Sequence, residues 1–467
     1  MKKFKKAIAL SLSLAMGLSL AACGEKESTT TEKATDAATE AATEATEPTE
    51  AATESEAVEA TTMEMTTGNG EKVHVYAWNN EIPGLIETFL WADYPELKDL
   101  VIPHNLNVGG TSADYINGLT NAFETEEAPS LIGADIDAAK NLMEQDFIVP
   151  LSQIGFNEEC YANAYDYTVE YATNADGELM GVTWQVTPGV VCYRTDIAED
   201  VLGFSDPESV GAAISDWDKF TDVAQQMKDK GYKMISGVDD LKYPMLDGRS
   251  SAWVTDGVMS IDSSIDNYLE TAKVFKENGY THETGMWSAD WSANMYGDVF
   301  CYFGTTWFVP FSLNIADTEA DGKYNVTTGP VNYHWGGSFL MAAKDCANPE
   351  LAAFVAYYMA CDEDHLYDQA VSPDHMNFPN NKVVGAKLIE ANEGSMDKLG
   401  GQNPYPLYDS LLGTLDLSLS TKYDVTINGY LDAAVIGYAN GDFATVDEAK
   451  DSIRTAVLDG LPELEIK

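Results

Sequence analysis

The chain is short of positive charge. It carries 27 lysines and arginines against 76 aspartates and glutamates, a net charge of −49 over 467 residues. A field of that sign repels nucleic acid, anionic lipid and polyanionic ligands, so none of these is an expected partner. The acidity itself reads as a solvated surface rather than as a site for a cationic ligand. Cysteine is scarce: there are six, and none forms a C-x-x-C pair. That excludes a disulfide scaffold and a zinc pattern. The six histidines show no metal-ligand spacing, and no G-x-S-x-G or H-E-x-x-H stretch occurs. An esterase or a zinc protease therefore has no motif here. No metal, cofactor or catalytic residue is expected. Long apolar runs are missing too. The run from Ala7 to Leu20 is too short for a comfortable membrane span, which takes about 20 residues, and no other run reaches that length.

That N-terminal run has a context. Lys2, Lys3, Lys5 and Lys6 precede it, and Leu20-Ala21-Ala22-Cys23 closes it. A positive head, a short apolar middle and small residues before a cut site describe a secretory signal over residues 1–22. With a cysteine directly after the small pair, it resembles a bacterial lipoprotein signal. The resemblance implies cleavage before Cys23 and a diacylglyceride on its sulfur. It places the protein at the outer face of the cytoplasmic membrane, and the anchor fits a Gram-positive cell, which has no outer membrane. Removing the four signal lysines takes the net charge from −49 to near −53. Cys160, Cys192, Cys301, Cys346 and Cys361 remain, and buried free thiols are their expected state.

Residues 24–70 consist mostly of Thr, Glu and Ala, with repeats such as Ala41-Ala42-Thr43-Glu44 and Ala51-Ala52-Thr53-Glu54. Large hydrophobics are nearly absent, so the stretch cannot bury enough surface to offset chain entropy. It reads as a disordered acidic tether over 23–70, with a reach of about 40 Å or more. Order is expected from Lys72. Val73 to Trp78 has strand composition, Pro83 to Leu90 reads as a helix, Leu100 to Pro103 as a strand, and Ser112 caps a helix to Phe123. Ser130 to Gly133 reads as a buried strand, and Ala134 to Gln145 as a helix. A second set follows: strands at 189–193, 233–237 and 299–304, and helices at 216–230, 263–278 and 348–359. From about Asn380 the chain reads as helices, ending in Thr445 to Leu458. Alternating strand and helix predicts an α/β fold of two lobes, each a mostly parallel sheet flanked by helices, with the chain crossing between them more than once.

Nine tryptophans are spread over this folded part, several just beyond a predicted strand or in a polar or Gly-rich loop. Trp78 leads into Asn79-Asn80-Glu81. Trp184 lies in Gly181-Val182-Thr183-Trp184-Gln185-Val186-Thr187-Pro188. Trp287 and Trp291 flank Ser288-Ala289-Asp290, Trp307 follows Gly304-Thr305-Thr306, and Trp335 precedes Gly336-Gly337. In open α/β sheets ligands bind beyond the carboxyl ends of strands. Indole beside amide and carboxylate is what a sugar needs. The C–H face of the ring packs on an aromatic plane, and each hydroxyl needs a polar partner or costs about 1–3 kcal/mol. Any one of these tryptophans taken alone reads equally well as core; Trp91 and Trp217 are assigned to packing.

Several of these segments, in this order, resemble the solute-binding lipoproteins of carbohydrate ABC transporters, the broad group that includes maltose-binding protein. They are Tyr76 to Glu81, Ala128 to Ile132, Gly177 to Gly189 with Tyr193-Arg194, Trp217 to Met227, Phe303 to Phe308, Tyr333 to Gly337 and Asn348 to Ala352. The resemblance covers nearly all of 72–467. It implies a periplasmic-binding-protein-like clamp joined by hinge crossings near Trp184–Pro188, Thr328–Val331 and Pro379. One lobe would hold 72–185 with 331–378, the other 189–328 with 380–467. It implies a sugar-binding monomer that delivers ligand to a permease. Trp78, Asn79, Glu81, Asp135, Asp137, Trp184 and Gln185 would contact ligand from one side. Arg249, Trp253, Trp287, Trp291 and Trp307 would do so from the other, with Trp335 and Gly336 on the returning segment. Which of Asp135 and Asp137 faces the cleft stays open, because Gly133-Ala134 departs from the family pattern. Arg249 reads equally as a structural salt bridge, His334 as a rim residue, and Asp239-Asp240 as the solvated end of an element. The alternatives are a secreted glycan-cleaving enzyme, which needs two carboxylates about 5–10 Å apart, a binder of another solute such as a peptide, and a structural surface lipoprotein.

Overall fold

The computed structural model describes Val58 and residues 60–467; the signal sequence and Cys23 lie outside the described residues. The strands are β1 (Val73–Ala77), β2 (Val101–Asn105), β3 (Leu131–Asp135), β4 (Ile148–Val149), β5 (Gly181–Val182) and β6 (Val190–Arg194). They continue as β7 (Val254–Thr255), β8 (Val258–Met259), β9 (Cys301–Gly304), β10 (Tyr324–Thr327), β11 (Ser338–Ala343) and β12 (Glu465–Ile466). The first lobe is built on a sheet in the order β2-β1-β3-β11-β4, with β5 also paired to β11. All five residues of β1 are buried, because parallel neighbours on both sides and covering layers leave it no wet face. The second lobe is built on the order β10-β6-β9, and a small β12-β8-β7 sheet lies apart.

The two-lobed α/β architecture has an interleaved chain path. After β5 the chain leaves the first sheet, builds β6, β9 and β10, and returns as β11 antiparallel to β3. Three connecting segments run side by side where the chain crosses. Val186 N–H donates to Phe378 O (3.2 Å), Asn380 N–H to Trp184 O (2.9 Å), Gly189 N–H to Tyr333 O (2.6 Å) and Trp335 N–H to Thr187 O (3.2 Å). This short ribbon is the hinge of the molecule, since few other backbone paths join the sheets.

Three expectations need correcting. The sheets are not mostly parallel: β11 pairs antiparallel with β3, β4 and β5, and the second sheet's ladders are both antiparallel. The cause is the returning crossings, which feed strands back in the opposite sense. The strand expected at 233–237 is reduced to two isolated bridges, Lys233 to Val299 and Ile235 to Thr281. The buried carboxylate of Asp240 accepts from the N–H groups of Ser236 and Gly237 (both 2.9 Å) and pulls the chain into the turn Val238–Leu241. Finally, the end of the acidic stretch is held against the first lobe. Val58 exchanges two main-chain hydrogen bonds with the Asn163 amide (3.1 and 2.9 Å), and Asn348 Nδ2 donates to Thr67 O and Glu71 O (3.0 and 2.7 Å). Met63 and Met65 supply the packing surface that the Thr/Glu/Ala repeats lack.

Cys160, Cys192, Cys301 and Cys361 are buried free thiols, and Cys346 is a half-buried one. Among the described residues no helix is long and apolar enough to cross a membrane.

Candidate functional site

The lobes face each other across a cleft of about 1130 Å³. Its first wall grows out of β1 and β3. Trp78 stands at the end of β1, with its edge against Tyr115 (6.1 Å between centroids). Gly110 is required opposite it: a Cβ there would lie 3.0 Å from both the Trp78 ring and Asp135. Glu81 opens the helix Glu81–Leu85, and its carboxylate accepts from Gln185 Nε2 (3.0 Å) and Ser338 Oγ (2.7 Å). One carboxylate thus ties the first helix, the hinge and the start of β11. Burial raises its pKa, against those hydrogen bonds. Asp135 ends β3 and caps the helix Ile136–Met143, accepting from Asp137 N–H (2.9 Å). Burial, and then the charge of Asp137, push the Asp135 pKa up. Asp137 accepts from Tyr243 Oη of the second lobe (2.8 Å). Both aspartates therefore face the cleft.

The second wall is aromatic. Tyr243 stacks on Trp335 (4.7 Å, 22°), and Trp335 meets Trp307 edge to face (5.0 Å, 73°). Trp287 lies parallel to Trp307 at 6.0 Å and is 57% exposed. Trp307 Nε1 donates to Trp335 O (3.1 Å) across a turn at Gly336, whose φ of +67° and 3.0 Å approach to Trp307 exclude a side chain. Trp287 itself has φ +68°, a region that a bulky residue rarely occupies and that costs of order 1–3 kcal/mol. The surrounding fold thus holds this indole over the cleft. Phe311 and Ile436, both exposed, extend the apolar rim.

Of the residues expected to meet ligand, Trp78, Asn79, Glu81, Asp135, Asp137, Gln185, Trp287, Trp307, Trp335 and Gly336 line the cleft. Four others sit behind the wall instead. Trp184 is 1% exposed and buried at the hinge. Trp291 is buried, and its Nε1 donates to Asp240 (2.7 Å). Trp253 is buried too, with Nε1 donating to Asn428 Oδ1 (2.8 Å), so it orients a cleft amide without facing the cleft. Arg249 is a structural ion pair: its guanidinium reaches Asp424 (3.4 Å) and lies over the Trp253 ring (5.1 Å). Indoles whose N–H finds a buried protein acceptor are thereby fixed in the core. His334 is pinned by Asp247 (2.8 Å) and does not line the cleft.

Sequence reasoning missed Tyr243, Asp239, Lys242, Phe311, Asn428 and Asp432, which also line it. Asp239-Asp240 is not a solvated end: Asp239 is half-buried on the wall and accepts from Met286 N–H (2.6 Å), while Asp240 is buried. The available signal was the glycine before this pair, Gly237, which marks a chain turning sharply after an apolar run. Lys242 pairs with Asp432 (2.8 Å).

The sequence of residues 102–390 matches the model of the bacterial extracellular solute-binding proteins. The chain belongs to this family. Solved structures support the fold. A solute-binding protein described as extracellular family 1 superposes with a TM-score of 0.69 at 16% identity, over 83% of this chain and 99% of that one. An ABC-transporter-associated binding protein of Bifidobacterium animalis subsp. lactis, solved with β-1,6-galactobiose, gives 0.66 at 18% identity, over 85% and 99%. The galacto-N-biose/lacto-N-biose I-binding protein of Bifidobacterium longum, solved with lacto-N-biose, gives 0.66 at 14%, over 86% and 100%. No curated protein sequence matches the chain. As a solute-binding protein, the molecule has its cleft where the family's two-lobed clamp closes.

Proposed function

We propose that this protein is the carbohydrate-capturing subunit of an ABC importer. Its cleft closes on an oligosaccharide about the hinge ribbon, and the closed form delivers the sugar to a membrane permease. The observation that carries this reading is the pairing of walls: the aromatic faces of Tyr243, Trp287, Trp307 and Trp335 stand opposite the carboxylates and amides of Asn79, Glu81, Asp135, Asp137 and Gln185. Stacking planes take the C–H faces of pyranose rings, and the polar wall takes their hydroxyls. Ligand can favour closure only by touching both lobes, which this division of labour requires. The galactobiose and lacto-N-biose complexes of the two structural neighbours support a carbohydrate of more than one ring.

The lobes of this reading are 72–185 with 331–378 and 189–328 with 380–467. A lipid on Cys23 anchors the protein to the outer face of the membrane of a Gram-positive cell, and the protein acts as a monomer without catalysis. The cleft carboxylates are engaged by protein donors at Glu81, Asp137 and Asp432, which disfavours the glycan-cleaving alternative.

A thermal-shift screen against mono- and oligosaccharides tests this. Ligand at 100 times its dissociation constant adds about 2.7 kcal/mol of stability. Stabilisation by a saccharide that is recovered intact is the expected result. No response to any saccharide would return the peptide-binding and structural readings, and release of reducing sugar would make the protein an enzyme.

A further inference from the structure

The charge on the cleft walls is lopsided in a way the surface acidity does not account for. Five carboxylates line it, Glu81, Asp135 and Asp137 from the first lobe and Asp239 and Asp432 from the second. Lys242 and His375 are the only basic side chains on the wall, and Lys242 is committed to Asp432 (2.8 Å). All three arginines pair elsewhere: Arg194 with Asp196, Arg249 with Asp424 and Arg454 with Asp451. Neutral donors alone meet the remaining carboxylates. Glu81 has an amide and a hydroxyl, Asp135 a main-chain N–H and Asp137 a phenol. Asp239 accepts one main-chain N–H, from Met286, and its Oδ1 is buried with no partner.

Like charges therefore face one another across the space that closure shrinks. Asp137 already raises the pKa of Asp432 across the cleft, after burial, and Glu81 and Asp137 raise that of Asp135. A neutral ligand would fill the gap and leave this repulsion in place. A cation on the ligand would offset it from both walls at once. The aromatic side of the cleft adds to the same preference, because indole and phenol faces attract cations as well as C–H bonds.

We propose that the ligand of this cleft is an amino sugar, a saccharide that carries a protonated amine placed between Asp135, Asp137 and Asp239. The proposal rests on the carbohydrate reading above and adds the ligand's charge. The rings supply what the tryptophans stack on, and the ammonium supplies the three donors that Asp239 Oδ1 and its neighbours lack. An acetylated amine loses the charge and keeps one donor, so it separates the charge from the shape.

Isothermal titration of the full chain with glucosamine and galactosamine oligomers, their N-acetylated forms and the corresponding neutral hexose oligomers tests it. The free-amine forms are expected to bind at least ten-fold more tightly than their acetylated or neutral counterparts. That margin should shrink between 50 and 300 mM salt, as a charge-dependent term must. Binding near pH 6 should also release protons, seen as a heat that depends on the buffer, because an ammonium lowers the raised carboxylate pKa values. Asp239→Asn should cut the amine margin several-fold, with its melting temperature showing that the variant is folded. If acetylated or neutral oligomers bind as tightly as the amines, the amino-sugar proposal falls and the carbohydrate reading stands. If spermidine or glycine betaine binds and no saccharide does, both fall.

Discussion

The two walls of the cleft are built by opposite rules. On the first, the polar groups are bonded to each other before any ligand arrives. Glu81 holds Gln185 and Ser338, and Asp135 holds the helix start at Asp137. On the second, the aromatic groups stand partly in water, with Trp287 57% and Phe311 46% exposed. The first wall is a rigid template whose geometry is fixed by folding. The second is unspent apolar surface, whose burial awaits a partner. The difference teaches that stability and affinity are stored in different places here. Substitutions on the first wall should act mainly on folding. Those at the exposed rim of the second should act mainly on binding.

Trp335 breaks this division and gives the largest expected effect. It belongs to the aromatic wall, yet it is 4% exposed and packs on Tyr243, Trp307 and Phe308. Trp335→Ala should cost about 3–5 kcal/mol of stability as well as affinity. Urea unfolding measures the first, and a midpoint unchanged from the parent would remove Trp335 from the core. Glu81→Ala comes next. It leaves the Gln185 amide and the Ser338 hydroxyl without their acceptor, a loss of about 1–3 kcal/mol of stability. A variant as stable as the parent would show that the first wall is not pre-bonded. Trp287→Ala is the contrast. Its indole is exposed and its backbone is strained, so stability should hold to within about 0.5 kcal/mol while saccharide affinity drops by about 1–2 kcal/mol. Trp307→Ala should lower affinity by a similar amount, and unaltered sugar binding in both Trp307→Ala and Trp335→Ala would dismantle the aromatic site altogether.

The legible part of the fold was whatever local pattern decides. Ser112, Asp216 and Asn348 each cap the helix that sequence assigned to them, because a capping oxygen and a following apolar period are local signals. The strand sense was not legible, since it depends on where the chain returns after a long excursion. Site residues followed the same division. Trp78 and Trp307 sit just past strands, and position alone pointed them at the cleft. Trp253 and Trp291 look the same in sequence, but Asn428 and Asp240, 175 and 51 residues away, capture their N–H groups. Tyr243 was missed because nothing near it marks a site: its role comes from Asp137, 106 residues earlier.

The smallest effect sharpens the comparison most, because it separates charge from geometry on the first wall. Asp135 is held well above the ordinary carboxylate range, first by burial and then by the charge of Asp137. A carboxyl whose folded pKa lies above its unfolded value binds more protons when folded. Stability therefore falls as pH rises from the unfolded value through the folded one. Asp135→Asn keeps an oxygen that can accept the Asp137 N–H and removes the charge. At pH 7 the variant should be more stable than the parent by about 1 kcal/mol, since one pKa unit is worth that order. Near pH 4, where the parent's Asp135 is protonated in both states, the gain should vanish. Melting temperatures of the pair at both pH values decide it. A gain of equal size at both would mean that Asn packs better and that charge plays no part. A loss at pH 7 would mean that ionised Asp135 is what the wall is built to hold.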